Sequence, residues 1–354
     1  MRVATGLAGG GDWEAAATFA REAERLGVHS LWTAETWGYD AMTPLAFIAG
    51  RTTSIRLGTG ILQIGARTPA MVAMTAMSLA SISGGRFILG LGTSGRQVIE
   101  GWHGVPFDHP VQRTRELIEI VRLVSRGERL VYDGEVHHLP LPGGEGRALR
   151  SSAPPVAIPV YVASLGPRNL RLTGELCEGW IGNSFIPETS EVFFQHLRAG
   201  AEASGRSLRD LDIQVPVSVE FGDDVEEITR RHARGYAFTF GAMGSPTQNF
   251  YKDAFARQGF ADEANEIQRL WLEGKRDEAA DRVPLEIAQK TNLLGTDELI
   301  RARLRIYRDC GVTTLRAGVR GETPDERLAA LGRLLELVDE VNRERRGERP
   351  ASAG

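Results

Sequence analysis

The segment Ser164–Asn169 has the residue types that proteins use to hold an anion at the start of a helix. A predicted strand ends in the small residue Ala163, Gly166 permits close backbone approach, and Pro167 favours the first helical turn. Unpaired backbone N–H groups at a helix N-terminus attract negative charge, and Arg168 adds a cation. An ordinary strand-to-helix turn is the alternative interpretation. The segment is therefore a candidate phosphate site that needs support from its surroundings.

Two further strand ends carry candidate cofactor contacts. Gly90–Gly95 is rich in glycine and has hydroxyl side chains at Thr93 and Ser94, a composition that lets a flat ring lie against the backbone. A tight turn that closes the strand is the alternative there. Glu35 follows another strand among tryptophans, where its carboxylate would lie beside a cofactor ring or form a structural salt bridge.

The residue types do not indicate a disulfide framework, a metal site, a nucleic-acid partner or a membrane segment. Cys177 and Cys310 are too few for a disulfide framework or a zinc site, and the seven histidines lack metal-ligand spacing, so no metal is expected. The net charge of −4 gives no reason to expect a nucleic-acid partner. No leader and no apolar run of membrane-spanning length is evident, so we expect a cytoplasmic protein without a membrane partner.

The elements that must position these residues alternate between strand and helix. The eight predicted strands are Arg2–Leu7, His29–Ala34, Ile55–Leu62, Arg86–Leu91, Pro159–Ala163, Gly179–Gly182, Leu211–Val219 and Thr313–Ala317. A helical pattern follows each strand, which predicts an α/β fold with a parallel sheet closed into a (β/α)₈ TIM barrel. The glycines Gly9, Gly10 and Gly11 do not form the fingerprint of a dinucleotide-binding sheet, which is the disfavoured alternative.

Two stretches depart from this alternation within a single barrel domain of residues 1–343. Residues 127–157 predict a hairpin around Asp133-Gly134 followed by an irregular loop. Residues 241–291 predict a helical insertion between strands seven and eight, and 344–354 a flexible tail. We expect the insertion to fold over the carboxyl end of the barrel and to wall the substrate pocket with the aromatics Phe250, Tyr251 and Trp271.

Several motifs, taken together, resemble the bacterial luciferase-like family of flavin and deazaflavin oxidoreductases. They are Ser30–Glu35, Ile55–Ile61, Arg86–Gly95, Glu100–Phe107, Ile158–Asn169 and Gly174–Trp180. The resemblance covers nearly the whole chain. Within the family the sequence is most similar to the branch that uses the deazaflavin coenzyme F420, such as methylenetetrahydromethanopterin reductase and the F420-dependent alcohol and sugar-phosphate dehydrogenases. The stretches Gly92–Gly104 and Gly241–Tyr251, which includes Ser245, suggest that branch.

The resemblance implies where the cofactor lies. The deazaflavin ring is expected over strands three and four, with a non-prolyl cis peptide at Gly60-Ile61 behind it. Its phosphate is expected at the start of the helix after strand five. The implied cofactor-binding residues are Gly60, Ile61, Thr93, Ser94, Ala163, Ser164, Leu165, Gly166, Pro167, Arg168 and Asn169.

The implied catalytic residues Glu35, Thr36 and Glu100 include one departure from the family. Relatives that oxidise alcohols or sugar phosphates carry an Asp-His pair after strand two, where this chain has Glu35 and Thr36. Proton abstraction by that imidazole is therefore not carried over, and a reductase that takes hydride from the reduced deazaflavin is the better fit. An FMN-dependent monooxygenase and a non-catalytic binding barrel remain alternatives. A small-molecule substrate and a homodimer are expected.

Overall fold

The computed structural model describes residues 1–7, 11–244 and 249–346. Its strands are β1 Arg2–Gly6, β2 Ser30–Thr33, β3 Arg56–Thr59, β4 Leu62–Gln63, β5 Phe87–Gly92, β6 Tyr132–Asp133, β7 His138–Leu139, β8 Val160–Ala163, β9 Gly179–Ile181, β10 Asp212–Phe221, β11 Leu293–Gly295 and β12 Thr314–Val319. Its helices are α1 Trp13–Leu26, α2 Met42–Ala49, α3 Pro69–Ile82, α4 Arg96–Ile99, α5 Pro110–Ser125, α6 Pro167–Leu176, α7 Glu191–Ala203, α8 Val225–Gly241, α9 Phe250–Phe255, α10 Ala261–Leu272, α11 Arg276–Asp281, α12 Leu285–Thr291, α13 Asp297–Cys310 and α14 Pro324–Arg346.

Eight strands form a closed, all-parallel barrel in the order β1, β2, β3, β5, β8, β9, β10, β12. The ring closes because β12 pairs with both β10 and β1, where Arg2 lies opposite Thr314. The predicted (β/α)₈ barrel is thus confirmed, and an open dinucleotide-binding sheet is excluded. The short strands β4 and β11 pair with β5 and β10 outside the ring. The strand β11 was not predicted, because its three residues are too few to show a pattern.

Local sequence signals explain where several helices begin and end. The Asp12 carboxylate accepts the Ala15 N–H at 2.9 Å, and Gly27 ends α1 in the left-handed conformation. Thr68 stands at the N-cap of α3, but its side chain makes no capping hydrogen bond. Helix α14 continues three residues past the predicted end at Arg343. The remainder of the predicted tail, together with Gly9, Gly10 and Ser245, lies outside the described residues.

The predicted third strand is interrupted in its middle. Strand β3 ends at Thr59, the Gly60-Ile61 peptide bond is cis, and β4 resumes at Leu62 against β5. The cis bond that the family resemblance implied is therefore confirmed. The interruption displaces the chain at the carboxyl end of the barrel, where the candidate site residues gather.

The hairpin in residues 127–157 is present, but its predicted turn is wrong. Asp133 pairs with His138 across the hairpin, so that residues 134–137 make the turn. The carboxylate of Glu116 on α5, which is fully buried, accepts the N–H groups of Glu135 at 2.7 Å and His137 at 2.8 Å. A side chain distant in sequence therefore organises this turn, and local turn propensity does not decide it.

The insertion lies at the carboxyl end of the barrel, as predicted. Arg257 donates to the carbonyl oxygen of Leu165 after β8 at 2.7 Å, and Gln258 donates to that of Ser184 after β9 at 2.6 Å. The insertion also packs a small core of its own around Phe255 and neighbouring apolar side chains. Trp271 belongs to this packing, with its ring edge-on to a phenylalanine of α8.

The barrel interior is filled just below its mouth by one apolar layer. The layer consists of Ala4, Trp32, Ile88, Tyr161 and Ile181, each from a different barrel strand. Parallel strands place alternate side chains inward, so these residues come from the inward positions of their strands. The layer provides a rigid floor beneath the candidate site.

Candidate functional site

A cavity of about 420 Å³ opens at the carboxyl ends of the barrel strands. Its lining residues are Gly6, Trp32, Thr33, Ala34, Gly60, Asn183, Ser184, Phe185, Pro216, Val217, Ser218, Tyr236, Thr291, Asn292, Arg316, Ala317 and Gly318. They lie within or just after β1, β2, β3, β9, β10 and β12, with Tyr236 and Thr291 added from helices above. This end of a TIM barrel is where active sites are built.

The insertion contributes to this cavity differently from the prediction. Thr291 at the end of α12 lines the cavity, whereas Phe250, Tyr251 and Trp271 are not among the lining residues. Trp271 instead packs edge-to-face against Phe238 of α8.

Arg316 carries the only formal charge among the lining residues of this cavity. Its Nη1 lies 3.5 Å from the Gly60 carbonyl oxygen, at the long limit of a hydrogen bond. No acidic side chain of the described residues pairs with it, and burial lowers the pKa of the guanidinium, partly offset by Tyr251. Sequence reasoning missed Arg316, because one arginine in the last strand shows no pattern.

Gly60 lies close to Arg316. A Cβ atom there would lie 2.5 Å from Nη1 of the arginine and 3.3 Å from the Trp32 ring, so the end of the arginine side chain would have to shift. Gly60 is one of the lining residues of the cavity. Ile61 is half-buried beside it.

Gly90 is needed for packing between strands. A side chain at Gly90 would overlap the Thr59 carbonyl oxygen, and the two residues also exchange hydrogen bonds at 2.8 and 2.9 Å. The space at Gly90 is therefore filled by the neighbouring strand, whereas the nearest atom to a Cβ at Gly95 would lie 4.0 Å away. Thr93 and Ser94 follow at the strand end, and Ser94 adopts the left-handed conformation with φ 57°.

Glu35 forms the structural salt bridge that the sequence left open as an alternative. Its two oxygens accept from the Arg67 guanidinium at 2.7 and 2.8 Å, and one also accepts the Ala41 N–H at 3.1 Å. The side chain is 7% exposed. Both oxygens are thus already engaged within the protein.

The carbonyl groups after β2 are held by a second network, which the sequence did not reveal. Gln63 Nε2 donates to the carbonyl oxygens of Glu35 and Thr36 at 3.0 Å each, and Gln63 Oε1 lies 2.8 Å from His103 Nε2. Thr36 itself is exposed. His103 lies within the motif that carried the family resemblance, and its role becomes visible only through the buried Gln63.

Glu100 lies away from the cavity. It is exposed, pairs with Arg96 one turn earlier at 2.7 Å, and accepts the Phe107 N–H at 3.3 Å. The structure therefore does not bring Glu100 together with Glu35 and Thr36.

The predicted anion segment begins α6 as expected. Gly166 occupies the N-cap, Pro167 is the first helical residue, and no side chain caps the free N–H groups. Arg168 is exposed at this end, and the structure adds the guanidinium of Arg257, which sequence reasoning missed. The described residues supply no salt-bridge partner to either arginine.

Within that segment the side chains divide between packing and exposure. The Ser164 hydroxyl is buried and lies 2.8 Å from the Thr173 hydroxyl, while its carbonyl oxygen accepts the Trp180 indole N–H at 2.8 Å. Asn169 Oδ1 is buried without a partner. Anion binding here would thus depend on the backbone N–H groups and the two arginines, since the Asn169 oxygen is an acceptor and cannot bind an anion.

Over the described ranges no helix has the length and apolar character needed to span a bilayer. Those same ranges hold no group of three or more acidic, cysteine or histidine side chains arranged to bind a metal ion.

Comparison with known proteins identifies close similarity over most of the chain. Residues 1–314 match the model of the family described as luciferase-like monooxygenase. A "putative coenzyme F420-dependent oxidoreductase" of Mycobacterium tuberculosis is 37% identical over 302 residues, which cover 83% of this chain and 87% of that protein. The 5,10-methylenetetrahydromethanopterin reductase of Methanolobus tindarius is 29% identical over 306 residues, covering 85% of this chain and 89% of its own.

A solved structure has the same fold as this chain. The structure of the coenzyme F420-dependent tetrahydromethanopterin reductase from Methanopyrus kandleri superimposes with a TM-score of 0.74 at 22% identity. The superposition covers 94% of this chain and 97% of that one.

Proposed function

Because this chain belongs to the luciferase-like monooxygenase family, we propose that it is an oxidoreductase that binds coenzyme F420 at the carboxyl end of its barrel. Membership makes it an enzyme, and the similarity to a protein named as a putative F420-dependent oxidoreductase over more than four-fifths of the chain supports the deazaflavin over other flavins. The observation that carries the proposal is the combination of an uncapped helix start and a polar cavity at the same end of the barrel.

The residues at the start of α6 fit an anionic group. Arg168 and Arg257 approach this segment from the helix and from the insertion, and neither forms a salt bridge with a described carboxylate. We assign the cofactor phosphate to these groups, since a helix N-terminus with added cations is an anion site.

The opposite part of the mouth fits a polar ring and a substrate. The Gly60-Ile61 bulge and the floor formed by Trp32 would position the ring, and the guanidinium of Arg316 would face the substrate. When bound, the deazaflavin supplies the hydride at its C5 atom. Glu35 and Gln63 act through position, because their polar atoms hold Arg67 and the backbone after β2.

Reduction of the substrate is the proposed direction. The strand end after β2 presents Thr36, which is exposed and has no ionisable proton acceptor, so an alcohol would not be deprotonated there. His103 is the imidazole nearest in the hydrogen-bond network, and its Nε2 contacts Gln63. The family description keeps an FMN-dependent monooxygenase that uses reduced flavin and O₂ as the second candidate.

Cofactor titration tests the proposal. The purified protein is titrated with F420 and, separately, with FMN, and quenching of cofactor fluorescence gives each Kd. We expect F420 to bind at least tenfold more tightly than FMN and the loaded protein to oxidise F420H₂ when an acceptor is added. Tighter binding of FMN would assign the chain to the monooxygenases, and binding of neither would overturn the proposal.

We also propose that two copies associate through α3. The helix exposes the apolar side chains of Met71, Met74 and Ile82, which are 50%, 56% and 56% exposed and recur on one face. A helix that is apolar on its outer as well as its inner face is normally covered by another surface.

A further inference from the structure

We propose that the cavity at the barrel mouth binds a carboxylate group of the substrate and that Arg316 is the residue that holds it. The inference rests on the proposed function in one respect, that the chain acts on a small organic molecule. It goes beyond that function by giving the chemical class of this molecule.

The first reason is the electrostatic state of Arg316. A guanidinium is always charged and offers five N–H donors, and a charge removed from water is costly unless it is paired. Arg316 reaches only the Gly60 carbonyl oxygen at 3.5 Å, and no described acid pairs with it. The remaining donors of its fork need acceptors that the described residues do not supply, and an anion in the cavity would provide them.

The second reason is an independent polar group in the same cavity. Ser184 is 7% exposed, lines the cavity, and its Oγ has no hydrogen-bond partner. Its backbone is held in place by Asn183, whose Oδ1 accepts the Ser184 N–H, and by Gln258, which binds its carbonyl oxygen. A fixed hydroxyl and an arginine fork are the donors that bind the oxygens of a carboxylate.

The third reason is the amount of positive charge. Arg316 is the only charged lining residue of the cavity, which matches one monoanion better than a phosphate dianion. A neighbouring cavity of about 370 Å³ also has cations, Arg231, His232 and Arg320. All three contact the carboxylate of Glu220, and Arg231 also lies 4.0 Å from Glu227, so the two arginines there have acidic partners, unlike Arg316.

The position of Arg316 argues against the cofactor phosphate as its ligand. Arg316 stands on β12, whereas the proposed phosphate segment follows β8, and β9 and β10 lie between them on the shorter way round the ring. One cofactor phosphate would not bind at both places. The carboxylate of a second molecule would bind Arg316 on the other side of the mouth, while the cofactor phosphate occupies the start of α6.

The test uses the full chain without cofactor, so that its result does not depend on whether the protein binds F420. The thermal midpoint is measured against sodium acetate, sodium benzoate and sodium phosphate, each at constant ionic strength balanced with chloride. A ligand that binds only the folded state raises the midpoint with concentration. We expect a saturable rise with the carboxylates and a Kd for phosphate that is at least threefold weaker. No rise, or tighter binding of phosphate, would overturn the assignment.

Three variants locate the binding. Arg316→Gln is expected to weaken carboxylate binding at least tenfold, as expected for loss of a charge-assisted hydrogen bond. Arg316→Lys should retain part of it. The matched control Arg320→Gln removes the same charge from the same strand end, where Glu220 compensates it, and should leave the titration unchanged. Equal loss in Arg320→Gln would show that net charge alone is responsible.

Two further measurements separate a binding role from a structural one. In chloride alone, Arg316→Gln should melt no lower than the parent protein, because it removes an uncompensated charge. If Arg316→Gln fails to fold, Ser184→Ala tests the carboxylate site instead. We expect this variant to lose carboxylate affinity roughly threefold, which is about the value of one neutral hydrogen bond. Arg316→Gln should also leave the F420 Kd within about twofold. A loss of F420 affinity equal to the loss of carboxylate affinity would assign Arg316 to the cofactor and overturn the proposal.

Discussion

The carboxylate of Glu35 and the guanidinium of Arg67 form a two-point ion pair at 2.7 and 2.8 Å, with Glu35 almost fully buried. This contact ties the loop after β2 to the segment after β4, and so fixes one side of the cavity. A pair of this kind is costly to break from one side, because the remaining charge loses its partner.

We therefore expect Glu35→Gln and Arg67→Met each to lower the free energy of unfolding by about 2–3 kcal/mol. The double variant should be less destabilised than the sum of the two, with a coupling energy of at least about 0.5 kcal/mol. Urea denaturation of the four proteins measures this cycle. Strict additivity would show that the two side chains stabilise the fold independently.

Arg168→Glu should weaken F420 binding by about 1–3 kcal/mol, because it replaces a cation at the proposed phosphate site with a repelling carboxylate. Arg171→Glu, one turn further along the same helix, makes the same charge change away from the helix start and is the control. Fluorescence titration measures both. Equal effects of the two variants would place the phosphate elsewhere.

The sequence predicts features that depend on neighbouring residues, and it does not predict contacts between residues that are far apart in the chain. Helices such as Trp13–Leu26 and Asp297–Cys310 can be predicted from the sequence, since their periodicity and end signals are local. The pair of Arg316 with Gly60 joins positions 256 residues apart, and nothing local marks either partner. Gln63 and Arg257 were missed for the same reason. The segment proposed to bind the phosphate could be predicted because the start of a helix has a local sequence signature.

Gly90→Ala should destabilise the protein by at least about 3 kcal/mol or prevent folding, because its Cβ would overlap the Thr59 carbonyl oxygen, which is backbone and cannot rotate away. Gly235→Ala is the matched control, since no atom lies within 4 Å of the added Cβ and the position is inside α8. It should stabilise by about 0.5–1 kcal/mol. Thermal and urea denaturation compare the two, and similar results would contradict the proposed strand contact.

His29 should make the protein less stable in mild acid. Burial and the nearby charge of Arg2 lower its pKa from 6.5 to about 4, and its Nε2 is buried without a partner. Between these values the unfolded chain binds a proton that the folded chain does not. The contribution is therefore fully present above pH 6.5 and is lost as the pH falls towards 4.

We expect this loss to amount to about 1–2 kcal/mol, since partial exposure reduces the full effect. His29→Gln should flatten the pH dependence of the unfolding free energy over that window. Urea denaturation from pH 7 to 4 provides the measurement. Parallel profiles for the two proteins would assign the acid sensitivity to other groups.

Met74→Asp should dissociate the proposed dimer, because it places a charge in the centre of the apolar face of α3. Light scattering after size exclusion gives the mass of each protein, and Thr18→Asp on the exposed side of α1 serves as control. A parent protein that is already monomeric, or a variant that stays dimeric, would rule out this face.

The closure of the ring by its last strand has a consequence for how the protein is made. Thr5 Oγ1 bonds to the Ala317 carbonyl oxygen 312 residues further along the chain, so β1 lacks one neighbour until β12 has left the ribosome. At about 5–20 residues per second, translation of the intervening chain takes roughly 15–60 s. Throughout that time the growing sheet has two unpaired edges, which invite association with other nascent chains. We therefore expect the yield of soluble enzyme to depend on chaperones that act during synthesis and on the translation rate before β12.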